Sequence, residues 1–313
     1  MNTLAPIVIF AYRRPDHLRN TLTSLMRCKG FAQSPVIIYC DGPRNDSEVE
    51  SVTATREIAK NLLSEHAEYH YSEVNLGLSR SVIAGVSQAV DRFGRVIVVE
   101  DDLELHPAFL TFMNQALDRY ASDERVFQIS GYQFDVPELK DTATALFLPF
   151  TVSWGWATWK RAWAHFDPLA SGWEKLRADK DLRRRFNLDG VYDYSTMLVR
   201  QMSGLRDSWA VRWYWTVFKA KALVLFPPTS LVSNTGFDGS GTHGRGLLRQ
   251  FSQARTALEM PEIILPESVS LDAEYYDRVK QALAKQNGGW IGKTMDTLRW
   301  WKTIWARKPS IPA

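Results

Sequence analysis

Three short, continuous apolar runs constrain the fold of this 313-residue chain most strongly. They are PIVIFA at residues 6–11, PVIIYC at 35–40 and RVIVV at 95–99. Each run has the length and composition of a β-strand that is buried on both faces. Segments with a helical spacing of apolar residues lie between them. Strands that alternate with helices predict an α/β fold with a mostly parallel, doubly wound sheet and helices on both faces.

The remaining elements are shorter and less regular. Further strands are predicted at 68–72, 126–130, 145–148 and 223–226, and further helices at 107–120, 156–163, 173–186 and 207–220. The strict alternation is lost after about residue 125. We interpret residues 1–265 as one domain with two halves that meet near residue 125, followed by a C-terminal helical extension over 266–313.

Composition narrows the class of protein. A net charge of +3 is too small to favour a nucleic-acid partner. Cys28 and Cys40 are the only cysteines, which excludes a disulfide framework and favours a reducing compartment. No apolar segment approaches the length of a membrane span. We therefore predict a cytoplasmic protein.

Polar residues directly follow all three apolar runs: Ala11-Tyr12, Asp41 and the acidic triplet Glu100-Asp101-Asp102. Ligands of such sheets bind beyond the carboxyl ends of the strands, so these residues should meet in one crevice. Adjacent buried carboxylates are costly unless a cation neutralises them. Mn²⁺ or Mg²⁺, held together with a diphosphate, would supply that charge. The alternative is a solvated turn whose acids cap the next helix.

The segment VIVVEDDLELHPAFLTFM resembles the strand–EDD–helix segment of GT-A glycosyltransferases. It is most similar to the inverting N-acetylglucosaminyltransferase I type and to bacterial surface-polysaccharide glycosyltransferases. The resemblance includes PIVIFAYRRPDHLRNTLTSL, VIIYCDG, NLGLSRSVIAGV, SWGWATWKRAW and Arg206-Asp207-Ser208-Trp209, and it covers roughly residues 4–245. It implies a Rossmann-like GT-A fold, with a nucleotide-sugar half before about residue 125 and an acceptor half over 126–265.

The resemblance also implies roles at the donor site. Asp102 would be the ligand to Mn²⁺ or Mg²⁺, while Asp101 and Glu100 would face the donor. The other donor contacts would come from Asp41, Ala11 and Tyr12 on a uracil or thymine base, and from Arg14 and Arg80 on the diphosphate. The alternatives are simpler: aspartate before glycine is a common turn residue, and either arginine could be a surface residue.

The catalytic base is assigned to Asp207. An inverting transferase needs one carboxylate to remove the proton of the acceptor hydroxyl, and the resemblance places that base beside a tryptophan before a helix. Only one acid is present here, where the family has a pair. The competing interpretation is that Asp207 caps the helix that follows it.

Two segments of the second half are candidates for ligand contact. Gly155 and Trp156, within the sequence SWGW, could form the floor of a sugar pocket or a buried tryptophan corner. The glycine-dense stretch 236–246 could close over the diphosphate, with His243 at the metal and Arg245 at the phosphates. The alternative for that stretch is a flexible surface loop.

The C-terminal segment 288–308 combines tryptophans with lysines and arginines. This composition suits peripheral contact with an anionic membrane at its inner face, and the alternative is a helix that packs its aromatic residues on the domain.

Together these features predict a metal-dependent inverting hexosyl- or N-acetylhexosaminyltransferase. Its donor would be a nucleotide-sugar, in particular a UDP-sugar, and its acceptor a glycan or lipid-linked glycan of bacterial surface-polysaccharide biosynthesis. Two other classes stay open, a sugar-phosphate nucleotidyltransferase and a non-catalytic carbohydrate-binding protein. The first would normally carry a glycine-rich loop after the first strand, and none is present after Ala11.

Overall fold

The computed structural model describes residues 4–139, 142–236 and 262–286. Its first half alternates strands with helices, as predicted. In chain order the elements are β1 Ile7–Ala11, α1 Pro15–Met26, β2 Val36–Cys40, α2 Val49–Leu63, β3 Ala67–Tyr71, α3 Leu78–Phe93 and β4 Arg95–Glu100. All of β1 is buried, as expected for the central strand of a covered sheet.

The second half contains shorter elements. They are β5 Leu103–Leu105, α4 Phe109–Arg119, β6 Val126–Ser130, β7 Leu146–Leu148, β8 Trp156–Trp159, α5 Lys160–Trp163, α6 Lys175–Ala178, α7 Lys180–Phe186, α8 Tyr194–Met202, α9 Trp209–Ala220, β9 Leu223–Phe226, β10 Val232–Asn234 and α10 Ala273–Gln286. Helix α10 lies in the predicted C-terminal helical extension.

One eight-stranded sheet organises the described residues, in the order β3-β2-β1-β4-β8-β6-β9-β7. Strands β3, β2, β1 and β4 are parallel neighbours. Strand β8 is antiparallel to β4 and β6, β9 is parallel to β6, and β7 is antiparallel to β9. Helices flank this sheet, with α1 against α2 and α3 against α5 and α9. The predicted α/β fold with a mostly parallel sheet is therefore confirmed.

The register of the central strands sets the position of the polar residues that follow them. Ala11 lies opposite Cys40, and Phe10 lies opposite Glu100. Tyr12, Asp41 and Asp101 therefore leave the sheet at the same edge. A second sheet pairs β5 with β10, so that Leu103 lies opposite Asn234 just after the acidic triplet.

The helix predicted over 156–163 is wrong in its first half. Residues Trp156–Trp159 form β8, and only Lys160–Trp163 is helical. All four residues of β8 are buried between β4 and β6, so tertiary pairing overrides the local apolar spacing. The helix predicted over 173–186 is likewise divided, because the Asp179 side chain accepts a hydrogen bond from Leu182 N–H at 2.8 Å and starts α7.

No helix within the described ranges combines the length and the apolar composition needed to cross a bilayer. The segment 288–308, for which membrane contact was predicted, lies outside those ranges.

Candidate functional site

The acidic triplet lies at the carboxyl end of β4, and Arg14 is its counter-charge. Asp101 is only 3% exposed. Its Oδ2 accepts a hydrogen bond from Tyr12 N–H at 3.0 Å, and its Oδ1 accepts one from the Arg14 guanidinium. The same guanidinium lies 3.0 Å from Asp102 Oδ2. Arg14 therefore bridges two neighbouring carboxylates that would otherwise repel one another.

The second oxygen of Asp102 differs from the first. Oδ1 is buried and has no hydrogen-bond partner among the described residues. A buried carboxylate oxygen without a partner is costly, and a cation is its natural ligand. No group of three His, Cys, Asp or Glu side chains in the described part of the chain could hold a metal ion. Mg²⁺-type sites, however, use one or two carboxylates together with phosphate oxygens and water. Asp102 fits that role.

Burial and neighbouring charges shift the pKa values of Glu100 and Asp101 in the triplet. Burial, together with the charges of Asp102 and Asp101, raises the pKa of Glu100 to about 8, although Arg14 opposes the shift. Burial also raises the pKa of Asp101 in spite of Arg14. Burial acts to lower the pKa of Arg14, but the two aspartates raise it above its ordinary value. One arginine therefore faces three carboxyl groups, two of which have raised pKa values.

A cavity of about 90 Å³ lies beyond the ends of β1, β2 and β4, and we call it the small cavity. Its lining includes Ala11, Tyr12, Arg13, Arg14, Tyr39, Asp41, Arg44, Asn75, Leu78, Glu100 and Asp101. Six residues predicted from sequence as donor contacts are therefore brought together. No role was predicted for Tyr39, Arg44 or Asn75 from the sequence.

Asp41 acts as a turn residue within this lining. Its Oδ1 accepts hydrogen bonds from Gly42 N–H at 2.9 Å and Leu76 N–H at 2.8 Å, and its Oδ2 accepts one from Gly77 N–H at 2.8 Å. The turn interpretation therefore describes the contacts of Asp41. A carboxylate has about four acceptor positions, so this engagement leaves room for one more donor.

Glu48 fixes the tyrosine of the small cavity and was missed in the sequence. It is 7% exposed and accepts hydrogen bonds from the Tyr12 hydroxyl and, at 2.9 Å, from Arg44 N–H. It also pairs with Arg13 at 2.9 Å. Burial and then Glu48 raise the pKa of Tyr12 to about 12. Glu48 follows no strand end, so only its contacts across 36 residues reveal its role.

A second cavity of about 310 Å³ adjoins the first, and we call it the large cavity. Arg14, Leu78 and Glu100 line both cavities. Aromatic side chains dominate the walls of the large cavity: Tyr132, Phe134, Trp154, Tyr192, Tyr194, Trp209 and Tyr214. Its polar lining includes Asp102, Arg206, Asp207 and Ser208. Leu283 of α10 also contributes to it.

Asp207 lines the large cavity and is exposed. It does not cap α9, because Ser208 occupies the N-cap position and no side chain caps that helix. The Asp207 carboxylate instead accepts a long hydrogen bond of 3.4 Å from Ser79 N–H in the first turn of α3. The interpretation of Asp207 as the cap of α9 is therefore wrong, and its carboxylate faces a cavity.

Two predicted contacts in the second half belong to the core. Trp156 is 0% exposed and stacks on Trp209 with ring centroids 5.0 Å apart, so its indole cannot form the floor of a pocket. Gly155 accepts a hydrogen bond from Gly131 N–H at 2.6 Å, and a Cβ at Gly155 would lie 3.0 Å from Phe109. Trp154 is the tryptophan of this motif that lines the large cavity.

Of three further predicted residues, only Arg80 lies in the described part of the chain, and it does not join the site. Arg80 is exposed and lines neither cavity, which agrees with the surface interpretation. His243 and Arg245 lie outside the described residues. Gly236, the first residue of the glycine-dense stretch, is described, and a Cβ there would lie 2.2 Å from Asp102 Oδ2. The backbone at Gly236 therefore lies directly against the Asp102 carboxylate.

Residues 7–203 match Glycosyl transferase family 2. The match covers more than half of the chain, so the chain belongs to glycosyl transferase family 2 and is a nucleotide-sugar glycosyltransferase. The narrower resemblance to the N-acetylglucosaminyltransferase I type stays a prediction. Among curated proteins, none matches the chain significantly.

Solved structures with some likeness are distant. Glucosyl-3-phosphoglycerate synthase from Mycobacterium tuberculosis, in complex with Mn²⁺, UDP and glucosyl-3-phosphoglycerate, is 13% identical, with a TM-score of 0.34. That likeness covers 64% of this chain and 66% of the synthase. Mouse xyloside xylosyltransferase 1 in its apo form is 12% identical, with a TM-score of 0.35, over 68% of this chain and 80% of the mouse protein.

A putative nucleotide-diphospho-sugar transferase from Desulfovibrio desulfuricans G20 is 14% identical, with a TM-score of 0.34. The likeness covers 67% of this chain and 99% of that protein.

Proposed function

We propose that this family 2 enzyme is a metal-dependent inverting transferase that moves a hexosyl or N-acetylhexosaminyl group from a UDP-sugar to a glycan or lipid-linked glycan. The observation that carries the proposal is the buried Oδ1 of Asp102, which has no partner within the described residues and lies on a cavity that adjoins the small cavity. A single protein ligand of this kind suits a cation shared with a diphosphate.

The small cavity takes the nucleoside in this proposal. Ala11, Tyr12 and Asp41 line it and would contact the base. Asp101 is engaged with Tyr12 N–H and Arg14, so it positions these two groups more than it touches the donor. All residues of this lining lie before residue 125, which supports a nucleotide-sugar half in the first part of the domain.

The diphosphate would lie where the two cavities meet, beside Arg14, Glu100 and Asp102. Mn²⁺ or Mg²⁺ bound at Asp102 would neutralise the charge that develops on the leaving diphosphate. Arg14 would stabilise the same charge. His243 and Arg245 stay proposed as additional contacts.

The acceptor would bind in the large cavity, with its reacting hydroxyl beside Asp207. Asp207 takes the hydroxyl proton while the oxygen forms a bond to the anomeric carbon. The bond between that carbon and the diphosphate oxygen breaks in the same displacement, and the nucleoside diphosphate leaves. Asp207 is exposed, and within the described residues its carboxylate accepts one long hydrogen bond, which supports its role as a base that can take a proton.

The resemblance to bacterial surface-polysaccharide enzymes supports a wider assignment. We place the reaction in the cytoplasm, in the assembly of a surface polysaccharide. Contact of the segment 288–308 with the inner face of an anionic membrane would bring the enzyme to a lipid-linked acceptor.

Calorimetry with UDP, in the presence and absence of Mn²⁺, tests the donor site. The wild type should bind UDP far more tightly with Mn²⁺, and Asp102→Ala should lose that dependence. Asp91→Asn is the control, since Asp91 is 69% exposed and pairs with Lys160 away from the site. Normal Mn²⁺-dependent binding by Asp102→Ala would refute the proposed metal ligand.

A further inference from the structure

Arg206 lines the large cavity and has no anionic partner among the described residues. The lining described for that cavity contains two arginines, Arg14 and Arg206. Arg14 is paired with Asp101 and Asp102, whereas Arg206 forms no ion pair with any described carboxylate. Its Nε is buried and has no hydrogen-bond partner among the described residues. A guanidinium N–H in this condition is costly unless a ligand accepts its hydrogen bond.

Tyr132 lines the same cavity, and its hydroxyl, like Arg206 Nε, is a buried donor. Tyr132 is 2% exposed, and its Oη is buried without a hydrogen-bond partner in the described part of the chain. Burial raises its pKa well above the ordinary value, so the hydroxyl keeps its proton and can donate. The Arg206 Nε–H and the Tyr132 hydroxyl are two donors that a ligand could satisfy. They favour a ligand group that only accepts hydrogen bonds, such as an ionised carboxylate or a phosphate.

The walls of the large cavity suit a sugar that carries this group. Trp154 is half-buried and packs edge-on against Tyr132, with ring centroids 4.6 Å apart. Indole and phenol rings present flat apolar faces to ligands and retain one polar edge. The cavity volume of about 310 Å³ lies at the lower end of the range for small-molecule sites. The cavity therefore suits a short portion of a glycan.

Arg206 lines the large cavity and not the small cavity, where we place the nucleoside. The arginines that line the small cavity are Arg13, Arg14 and Arg44. We therefore propose that Arg206 binds an acidic group on the acceptor, either a sugar carboxylate or a phosphate, and thereby selects an anionic acceptor. This inference rests on the proposed function, because it assigns the large cavity to the acceptor.

Calorimetric titration with simple probes tests this selection. The probes are methyl β-D-glucuronide, glucose 1-phosphate and the neutral methyl β-D-glucoside, each titrated with and without UDP and Mn²⁺. We expect the wild type to bind at least one charged probe about tenfold more tightly than the glucoside, the size of one hydrogen bond to a charged group. The better charged probe identifies a carboxylate or a phosphate as the recognised group.

Three variants test whether Arg206 and Tyr132 cause the preference for charged probes. Arg206→Gln should bind charged and neutral probes equally while its Mn²⁺-dependent affinity for UDP is unchanged. Tyr132→Phe should lose part of the preference. Arg200→Gln is the matched control, because Arg200 is exposed on α8 and lines neither cavity. Thermal unfolding of each variant verifies that it is folded.

Several results would overturn the inference. Equal binding of charged and neutral probes by the wild type would do so, as would a charge preference that survives in both Arg206→Gln and Tyr132→Phe. Loss of UDP affinity in Arg206→Gln would assign the arginine to the donor diphosphate instead. A wild type that does not bind UDP would refute the proposed function, while the titrations without UDP would still decide the charge preference.

Discussion

The two cavities are built by different physical means. The small cavity is organised by charges and hydrogen bonds at strand ends, where Asp101, Asp41 and Glu48 each hold backbone N–H groups. The large cavity is organised by packed aromatic rings from segments far apart in sequence. The difference indicates that the small cavity depends on polar residues at the ends of neighbouring strands, whereas most of the large cavity depends on how the second half packs.

Ring packing behind the large cavity is extensive. Phe186 stacks on Tyr214 with centroids 4.7 Å apart, and Tyr194 lies 4.5 Å from Tyr214. Val279 and Leu283 of α10 are buried, and Leu283 lines the large cavity together with Tyr194 and Tyr214. A substitution at any of several aromatic residues can therefore change the shape of the large cavity. The hydrogen bonds of the small cavity would stay intact.

Replacing the proposed base should have the largest effect on turnover. Asp207→Asn keeps an oxygen that can accept the Ser79 N–H but cannot take a proton at neutral pH. We expect turnover to fall by about 10²- to 10⁴-fold, the usual contribution of general-base catalysis. UDP affinity should be unchanged, since Asp207 does not line the small cavity. Single-turnover kinetics and calorimetry measure the two quantities, and near-normal turnover would exclude Asp207 as the base.

Replacing a core tryptophan should mainly lower stability, whereas replacing a cavity tryptophan should mainly weaken binding. Trp156→Ala should lower the free energy of unfolding by about 3–5 kcal/mol, as for a fully buried large ring. Trp154→Ala, two positions away on the half-buried wall, should cost less stability and weaken binding of acceptor probes. Urea unfolding of both variants measures the contrast. Equal losses of stability would contradict the separation of core and wall.

Arg80→Ala should have the smallest effect. Arg80 is exposed outside both cavities, so we expect a stability change within about 0.5 kcal/mol and unchanged UDP affinity. Arg14→Ala is the informative contrast, because it removes the counter-charge of the two buried aspartates. Denaturation and calorimetry on both variants test whether Arg14, and not Arg80, contributes to the site. A marked loss of UDP affinity in Arg80→Ala would contradict the surface location of Arg80.

Strands β1, β2 and β4 could be predicted from sequence because each is a continuous apolar run that is largely buried. Their carboxyl ends could be brought together by topology alone, which is why Tyr12, Asp41 and the triplet were found. The three-residue strands β5 and β10 are too short for a periodic signal. Strand β8 has an apolar spacing compatible with a helix, and only its pairing with β4 and β6 decides its conformation.

Residues that act across long distances in sequence could not be predicted. Glu48 supports Tyr12 from a short 3-10 helix, and Arg206 differs from a surface arginine in its buried Nε, which has no partner in the described part of the chain. Helix α8 was missed although a signal was present. Asp193 precedes it, and its side chain accepts a hydrogen bond from Thr196 N–H at 3.1 Å, as a capping residue does.

The bridge from Arg14 to Asp101 and Asp102 has a consequence for how the enzyme matures. Because the chain carries its own counter-ion for these acids, the edge of the sheet can reach its native arrangement before any external cation arrives. Folding of the chain would then not require the proposed cation. The site would be ready to receive donor and cation together.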